Sequence, residues 1–297
     1  MTQAVAAGAH EEKVASQGGV QVLIRSWKPA VPARAVVAIV HGVKSHGGYY
    51  GWTAEQLTDA GFSVYALDLR GRGRSDGERL YIDDLGEYLG DVKTLIDLAK
   101  SREGGLPVFL LGHSAGGVLA SAYTLDHQAE LAGLVCESFA FRVFAPNFVL
   151  SLVRWLSRVL PRLPVLRLPT AGFSRDPAVV QAMTDDPLGV HHEAQPARTV
   201  AELLRAADRV ERVFPTMKLP VLSPPARDRI NVPFAPGSAG GSARYTGCAR
   251  STSIAFRSIC PRSASTTSHP SGTTTPTTEP FSTTMSSTVP AITFMFS

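Results

Sequence analysis

Four short, nearly continuous apolar runs alternate with segments of helical length in the first half of the chain. The apolar runs are residues 35–42, 62–68, 107–113 and 133–138, and the helical segments are residues 51–61, 83–101 and 115–128. Strands that alternate with helices form a parallel sheet that is covered on both faces. The sequence therefore predicts an α/β fold with a doubly wound, mostly parallel sheet, preceded by a hairpin that ends in residues 20–27.

Polar residues and one glycine stand where these apolar runs end. They are His41, Gly42, Asp68, Ser114 and Ser138. In sheets of this kind, ligands and catalytic groups lie at the carboxyl ends of the strands. The candidate site is therefore expected at that edge of the sheet.

The composition excludes several classes of protein. The chain has 297 residues, 44% of them hydrophobic, and a net charge of +4. Its lysines and arginines form no run and no patch with aromatic residues, so we expect no nucleic-acid partner. Its three cysteines are too widely spaced for a disulfide framework or a zinc site. We expect no metal and no cofactor.

The amino terminus predicts neither export nor membrane insertion. It lacks a basic region followed by an apolar core, and no segment has about 18 uncharged apolar residues in a row. The expected location is the cytoplasm, in a reducing compartment.

The chain divides into four segments by composition. Residues 1–138 hold the amino-terminal part of the core, and residues 139–216, rich in Leu, Val, Arg and Pro, predict an all-helical cap over the sheet. Residues 217–232 contain the remnant of a further core strand and the loop that carries Asp228. Residues 233–297 are a tail in which Ser and Thr make up 23 of the last 47 residues. Such a composition predicts disorder.

Ser114 is the candidate nucleophile. It stands between Gly112 and Gly116 in "FLLGHSAGGVLA", where a predicted strand meets a predicted helix. This pattern forms a sharp turn that exposes the serine hydroxyl and aims the next amide, that of Ala115, at the oxyanion of the reaction. The alternative is a serine that merely caps the helix.

The second oxyanion donor is expected in the loop after the earlier strand. The sequence "VVAIVHGVKSHGGYY" makes the Val43 amide the candidate, with His41, Gly42 and His46 as candidate substrate-binding neighbours. For His41 we favour a buried, hydrogen-bonded structural histidine. For His46, lining the mouth of the site and lying in a solvated loop remain open alternatives.

The segment "YALDLRGRGRSDG" resembles a phosphate-binding loop only superficially. It lacks the lysine of a P-loop and follows a middle strand. We interpret it as a packed turn in which Asp68 and Arg70 hold loops together.

The motifs "HGVKSHGGYY", "DLRGRGRSDGERLYIDD", "LPVFLLGHSAGG" and "SRDPAVVQAMTDDPL" occur in this order. Over residues 12 to 222 the chain resembles the monoacylglycerol lipase and lysophospholipase branch of the α/β-hydrolase superfamily, which is also classed with serine aminopeptidase-like hydrolases. The resemblance implies Ser114 as nucleophile, the Val43 and Ala115 amides as oxyanion hole, and a cap that admits a single acyl chain.

The resemblance also implies an acid shortly after the strand at residues 218–222, and a histidine base further on. Asp228 is the candidate acid, although two prolines replace the expected continuation of the strand and the Gly-containing turn is missing. The alternative is a solvated loop aspartate. The downstream histidine is His269, inside the tail. His113, His191 and His192 are poor substitutes, because the first projects away from the Ser114 hydroxyl and the others belong to the cap.

Two functional hypotheses follow. The first is a serine hydrolase that cleaves esters of single-chain lipids, monoacylglycerol or lysophospholipid, through an acyl-enzyme. Small esters, thioesters and aminoacyl amides are alternative substrates on the same scaffold. The second is an inactive hydrolase fold whose coding sequence lost its frame or was fused to foreign sequence after Leu222.

The cap contains a cationic amphipathic segment, residues 148–168. Its apolar stripe consists of Phe148, Leu152, Trp155, Leu156 and Val159. The segment either packs on the site or lies in a membrane interface, as a peripheral contact. Oligomeric state is not predicted.

Overall fold

The computed structural model describes residues 8–138, 145–174 and 176–223. Asp228, His269 and the tail at residues 233–297 lie outside the described residues.

A seven-stranded sheet forms the centre of the described structure. Its strands are β1 (His10–Ala15), β2 (Gln21–Trp27), β3 (Ala35–Val40), β4 (Phe62–Leu67), β5 (Val108–His113), β6 (Gly133–Glu137) and β9 (Val221–Leu222). They lie in the order β1-β2-β4-β3-β5-β6-β9. The hairpin of β1 and β2 is antiparallel and joins β4 antiparallel, whereas all other pairs are parallel. This confirms the predicted doubly wound, mostly parallel sheet.

Helices cover both faces of this sheet. Three helices belong to the core, α1 (Gly51–Asp59), α2 (Leu85–Glu103) and α3 (Ala115–Asp126). On β3, Val36 and Ala38 pack in the cluster that includes α2 and α3, and Val37 and Ile39 pack in the cluster that includes Ala54 of α1. The continuous apolar runs of the sequence thus reflect strands buried on both faces.

The described part of the cap contains three helices, α4 (Asn147–Val159), α5 (Pro177–Asp185) and α6 (Ala197–Val213). It also contains an antiparallel pair of short strands, β7 (Pro164–Leu166) and β8 (Gln195–Pro196), so the prediction of an all-helical cap is wrong. Prolines at both strands remove helical hydrogen bonds and favour extended backbone there. The cap is anchored on the core by α6, which packs on α3 through Ala206, Ala207 and Val118.

Single 3-10 turns complete the described structure, at Gln17–Gly19, Gly47–Tyr50, Gln128–Glu130, Thr170–Gly172 and Phe214–Thr216. In the part of the chain that is described, no helix is both long and apolar enough to cross a membrane.

Candidate active site

Ser114 stands at the junction of β5 and α3 in a strained backbone conformation. Its φ is 55° and its ψ is −121°, in a region that side-chain-bearing residues rarely occupy. Ser114 occupies the N-cap position of α3, but its hydroxyl makes no capping hydrogen bond to the helix. The residue is half-buried. The sharp turn expected from the sequence is therefore present.

The two flanking glycines are required by close packing at this turn. A Cβ at Gly116 would lie 2.2 Å from the carbonyl oxygen of Val40, and a Cβ at Gly112 would lie 2.4 Å from the carbonyl oxygen of Gly116. Contacts this short do not occur in real structures. Glycine at both positions lets α3 approach β3 and β5 closely enough to form the turn.

The backbone of Ser114 is attached to the neighbouring strand. Its N–H donates to the carbonyl oxygen of Glu137 at 3.0 Å, which extends the pairing of β5 with β6 by one residue. The Gly117 N–H donates to the Ser114 carbonyl at 2.9 Å, inside the first turn of α3. The turn is thus fixed from both sides.

His41 is a buried structural histidine, as favoured from the sequence. It is 1% exposed, and its Nε2 accepts from the Leu69 N–H at 3.0 Å. The ring proton is therefore assigned to Nδ1, which donates to the Gly42 carbonyl oxygen at 2.8 Å. Burial, opposed in part by the charge of Asp68, lowers the pKa of His41 to about 3. The ring stays neutral and keeps this donor arrangement.

The contact with Gly42 orients the next amide. A trans peptide is planar, so the Val43 N–H points opposite to the Gly42 carbonyl that His41 holds. Gly42 also lies against the turn, because a Cβ built on it would be 3.2 Å from the Ser114 Cβ. Ala115 begins α3, so its N–H belongs to the first helical turn, whose amides have no partner within the helix.

His46 does not lie in solvent, so the alternative of a solvated loop histidine is wrong. It is 2% exposed, and its Nδ1 accepts from the Gly48 N–H at 3.0 Å. Its Nε2 therefore carries the proton and donates to a carboxylate oxygen of Asp186 at 2.8 Å. Burial alone would raise the pKa of Asp186, but the hydrogen bonds from His46 and from the Leu188 N–H lower it well below its usual range.

A second contact joins the same loop to the cap. The Lys44 ammonium donates to the Leu168 carbonyl and to the Thr170 hydroxyl, both at 2.9 Å. Sequence reasoning missed Lys44 and Asp186 as residues that hold the site together. The one available signal for Asp186 was the pair Asp186-Pro187, which ends α5.

Asp68 and Arg70 hold the neighbouring turn together, as interpreted from the sequence. The Asp68 carboxylate accepts from Arg25 Nη1 at 2.6 Å, from the Gly47 N–H at 2.7 Å and from the Arg74 N–H at 2.9 Å. Arg70 pairs with Asp91 at 2.7 Å.

The candidate acid and base cannot be placed against Ser114, because Asp228 and His269 are outside the described ranges. His113 precedes Ser114, and its ring lies 6.3 Å from that of Tyr50, centroid to centroid. Burial lowers the pKa of His113 to about 4. In the cap, His191 is half-buried and His192 is exposed. Within the described ranges, no group of three or more His, Cys, Asp or Glu side chains is arranged to hold a metal ion.

Comparison with known proteins agrees with this geometry. A family model described as serine aminopeptidase, S33, matches residues 31–228. The monoacylglycerol lipase of Mycolicibacterium smegmatis is 34% identical over 214 residues, which cover 71% of this chain and 76% of that protein. The monoglyceride lipase of Homo sapiens is 32% identical over 207 residues, 69% of this chain and 68% of that protein.

A solved structure is also similar to this chain. The monoacylglycerol lipase of Paleococcus ferrophilus superposes with a TM-score of 0.60 at 29% identity, over 68% of this chain and 76% of that one. The strand order of the sheet, the sequence motifs and these similarities show that the chain belongs to the serine aminopeptidase S33 family of α/β-hydrolases.

Proposed function

We propose that the protein is a serine hydrolase in which Ser114 attacks the carbonyl carbon of an ester and forms an acyl-enzyme that water then hydrolyses. The observation that carries the proposal is the backbone of Ser114, with its φ of 55° at the end of β5. Strain of this kind persists where the surrounding structure imposes it, and here it presents a half-buried hydroxyl at the carboxyl edge of the sheet.

The Val43 and Ala115 amides form the oxyanion hole in this proposal. The residues Gly42, Val43 and Ala115 line one small cavity, with Leu69 and Leu119 among its apolar walls. Fixed N–H donors in an apolar site stabilise a developing oxyanion without having to reorganise. His41 acts as a positioning residue, because it holds the peptide that precedes Val43.

The proposed substrates are esters of one acyl chain, monoacylglycerol or lysophospholipid. Support comes from the relatives and the solved structure described above, which are named monoacylglycerol or monoglyceride lipases. Small-ester, thioester or aminoacyl-amide hydrolysis on the same scaffold are the alternatives within enzymes. The chemistry requires no cofactor.

Asp228 is the proposed acid, and the base is not assigned. The histidine available downstream in the sequence is His269, within the Ser/Thr-rich tail. This feature favours a second candidate function, an inactive hydrolase fold that binds acyl ligands without turnover. Loss of the base alone reduces turnover by several orders of magnitude and leaves the oxyanion hole intact.

Labelling with a fluorophosphonate probe tests the proposal. The probe should label the wild type and leave Ser114→Ala unlabelled. Ser138→Ala is a matched control, since Ser138 also follows a strand and has a positive φ of 47°. Labelling that persists in Ser114→Ala would overturn the assignment, and a wild type that is not labelled would favour the inactive alternative. Turnover of monoacylglycerols against p-nitrophenyl acetate and aminoacyl amides then separates the substrate classes.

We also propose that the protein is cytoplasmic and that its helix α4 contacts membranes peripherally. The apolar stripe of this helix faces outward, with Phe148 74%, Leu152 50%, Trp155 56% and Val159 54% exposed. Arg158 lies exposed in its last turn. An apolar stripe beside a cationic side chain suits an anionic lipid surface.

Sedimentation with phosphatidylglycerol vesicles tests this contact. Trp155→Ala should weaken binding by about tenfold or more, since burying a large apolar side chain is worth roughly 1.5–3 kcal/mol. Trp52→Ala is the control, because Trp52 is 40% exposed on α1, outside the cap. Equal binding by both variants and the wild type would remove the proposed contact.

A further inference from the structure

Arg72 is a buried cation beside the candidate oxyanion hole. It is 2% exposed and stands in the turn that follows β4. Its guanidinium donates to three groups, the Val43 carbonyl oxygen, the Tyr88 hydroxyl at 3.2 Å and the Gln195 side-chain oxygen at 2.8 Å. It therefore connects the loop of Val43, the helix α2 and the cap strand β8.

The partners of Arg72 are all neutral. Two neighbouring buried arginines are paired differently, Arg25 with Asp68 at 2.6 Å and Arg70 with Asp91 at 2.7 Å. Among the residues that the structure describes, no carboxylate forms an ion pair with Arg72. A buried charge without a counter-charge is costly. Its position is explained if an anion forms nearby during function.

The surroundings of Arg72 would favour an anion at this place. Arg72 lines the same small cavity as Val43 and Ala115, and Leu69, Leu119 and Leu203 supply apolar walls. The imidazole there, that of His41, is kept neutral by burial, which lowers its pKa to about 3. In surroundings of low polarity, a fixed charge acts more strongly than it does in water. Arginine also remains protonated at every working pH.

We propose that Arg72 is a positioning residue that places a fixed positive charge behind the oxyanion hole and holds the Val43 carbonyl, so that negative charge on a substrate oxygen is stabilised there. For the ester reaction this rests on the proposed function, because the oxyanion forms only if Ser114 attacks. The contact with Gln195 makes this charge depend on the docked position of the cap.

Binding of two matched probes tests the charge without any turnover. Decanoate and 1-decanol have carbon chains of the same length, and only decanoate carries a negative charge. Arg72→Gln should weaken decanoate binding by tenfold or more, the loss that corresponds to about one pKa unit of interaction, and change decanol binding less than about twofold. Arg72→Lys retains the charge and should keep most of the preference for decanoate.

Equal losses for both probes, or an unchanged preference in Arg72→Gln, would overturn the proposal. If Arg72→Gln fails to fold, Arg72→Lys decides the matter, because a folded lysine variant without preference for decanoate also contradicts it. Melting temperatures of all variants separate loss of structure from loss of charge.

Fluorophosphonate labelling separates this inference from the proposed function. A labelled wild type whose labelling rate and decanoate preference do not change in Arg72→Gln overturns the role of Arg72 alone. If the wild type is not labelled and Arg72→Gln still abolishes the preference for decanoate, the anion site at Arg72 is supported and the proposed hydrolase activity is rejected.

Discussion

His46 donates to the Asp186 carboxylate at 2.8 Å, and this hydrogen bond joins the loop after β3 to the cap. The two residues are 140 positions apart in the chain, and both are almost completely buried. Because the loop carries Val43, this pair attaches one part of the candidate site to the cap.

His46→Ala should destabilise the protein by about 3 kcal/mol, because it leaves the Asp186 carboxylate buried without its partner. The effect should appear as a lower urea midpoint and as faster hydrogen exchange in α5. His192→Ala is the matched control, since His192 is an exposed histidine of the cap. A loss no larger than that of the control would show that the cap is held elsewhere.

Gly116→Ala should be more damaging than its single methyl group suggests. The new Cβ would lie 2.2 Å from the Val40 carbonyl oxygen, so α3 must move away from β3. We expect a loss of about 2 kcal/mol or more in the free energy of unfolding. Gly172→Ala is the control, because nothing lies within 4 Å of a Cβ built there. Similar unfolding curves for the two variants would contradict the close approach.

Ser114→Gly should be more stable than Ser114→Ala by about 1 kcal/mol, because glycine adopts a positive φ without the strain that a Cβ causes. Both variants lack the hydroxyl, so the comparison isolates the backbone. Thermal unfolding of the two proteins measures the difference. Ser121→Gly against Ser121→Ala is the control within a regular helix, where glycine should be the less stable choice.

Glu137 should make stability depend on pH. Burial raises the pKa of its carboxyl to about 7. The folded protein holds this proton more tightly than the unfolded chain, whose glutamate pKa is about 4.3. The stabilising contribution is therefore complete below about pH 4.3 and is lost as the pH rises towards 7.

Glu137→Gln should remove this dependence and make the protein about 2 kcal/mol more stable than the wild type at pH 8, with little difference at pH 4.5. The gain is smaller than the whole difference between the two pKa values implies, because the Glu137 side chain is only half-buried and solvent screens its charge. Urea unfolding across this pH range measures it. Asp59→Asn, at an exposed carboxylate that ends α1, should leave the pH dependence unchanged. Parallel curves for wild type and Glu137→Gln would contradict the raised pKa.

The core of the fold was predictable because its signals are local. Each strand of the parallel sheet is an apolar run of its own, and the turn at Ser114 needs only two glycines and a strand–helix junction. The structure places β3, β4, β5 and β6 within the predicted runs. A structural requirement that involves only a few neighbouring residues can be recognised in the sequence.

The connections between the loop and the cap were not predictable, because they depend on residues far apart in the chain. Lys44 reaches Leu168 and Thr170, more than 120 positions away. Nothing in the sequence around His46 distinguishes a solvated histidine from one that a distant carboxylate holds. The strand pair of the cap was missed for another reason, since β7 and β8 have three and two residues and leave no two-residue period to read.

Ser114 and the loop of Val43 are held by different parts of the molecule. The Ser114 N–H donates to Glu137 of the central sheet, whereas Lys44 and His46 of the loop donate to groups of the cap. We therefore expect a substitution that loosens the cap to disturb the alignment of the Val43 amide more than the turn at Ser114.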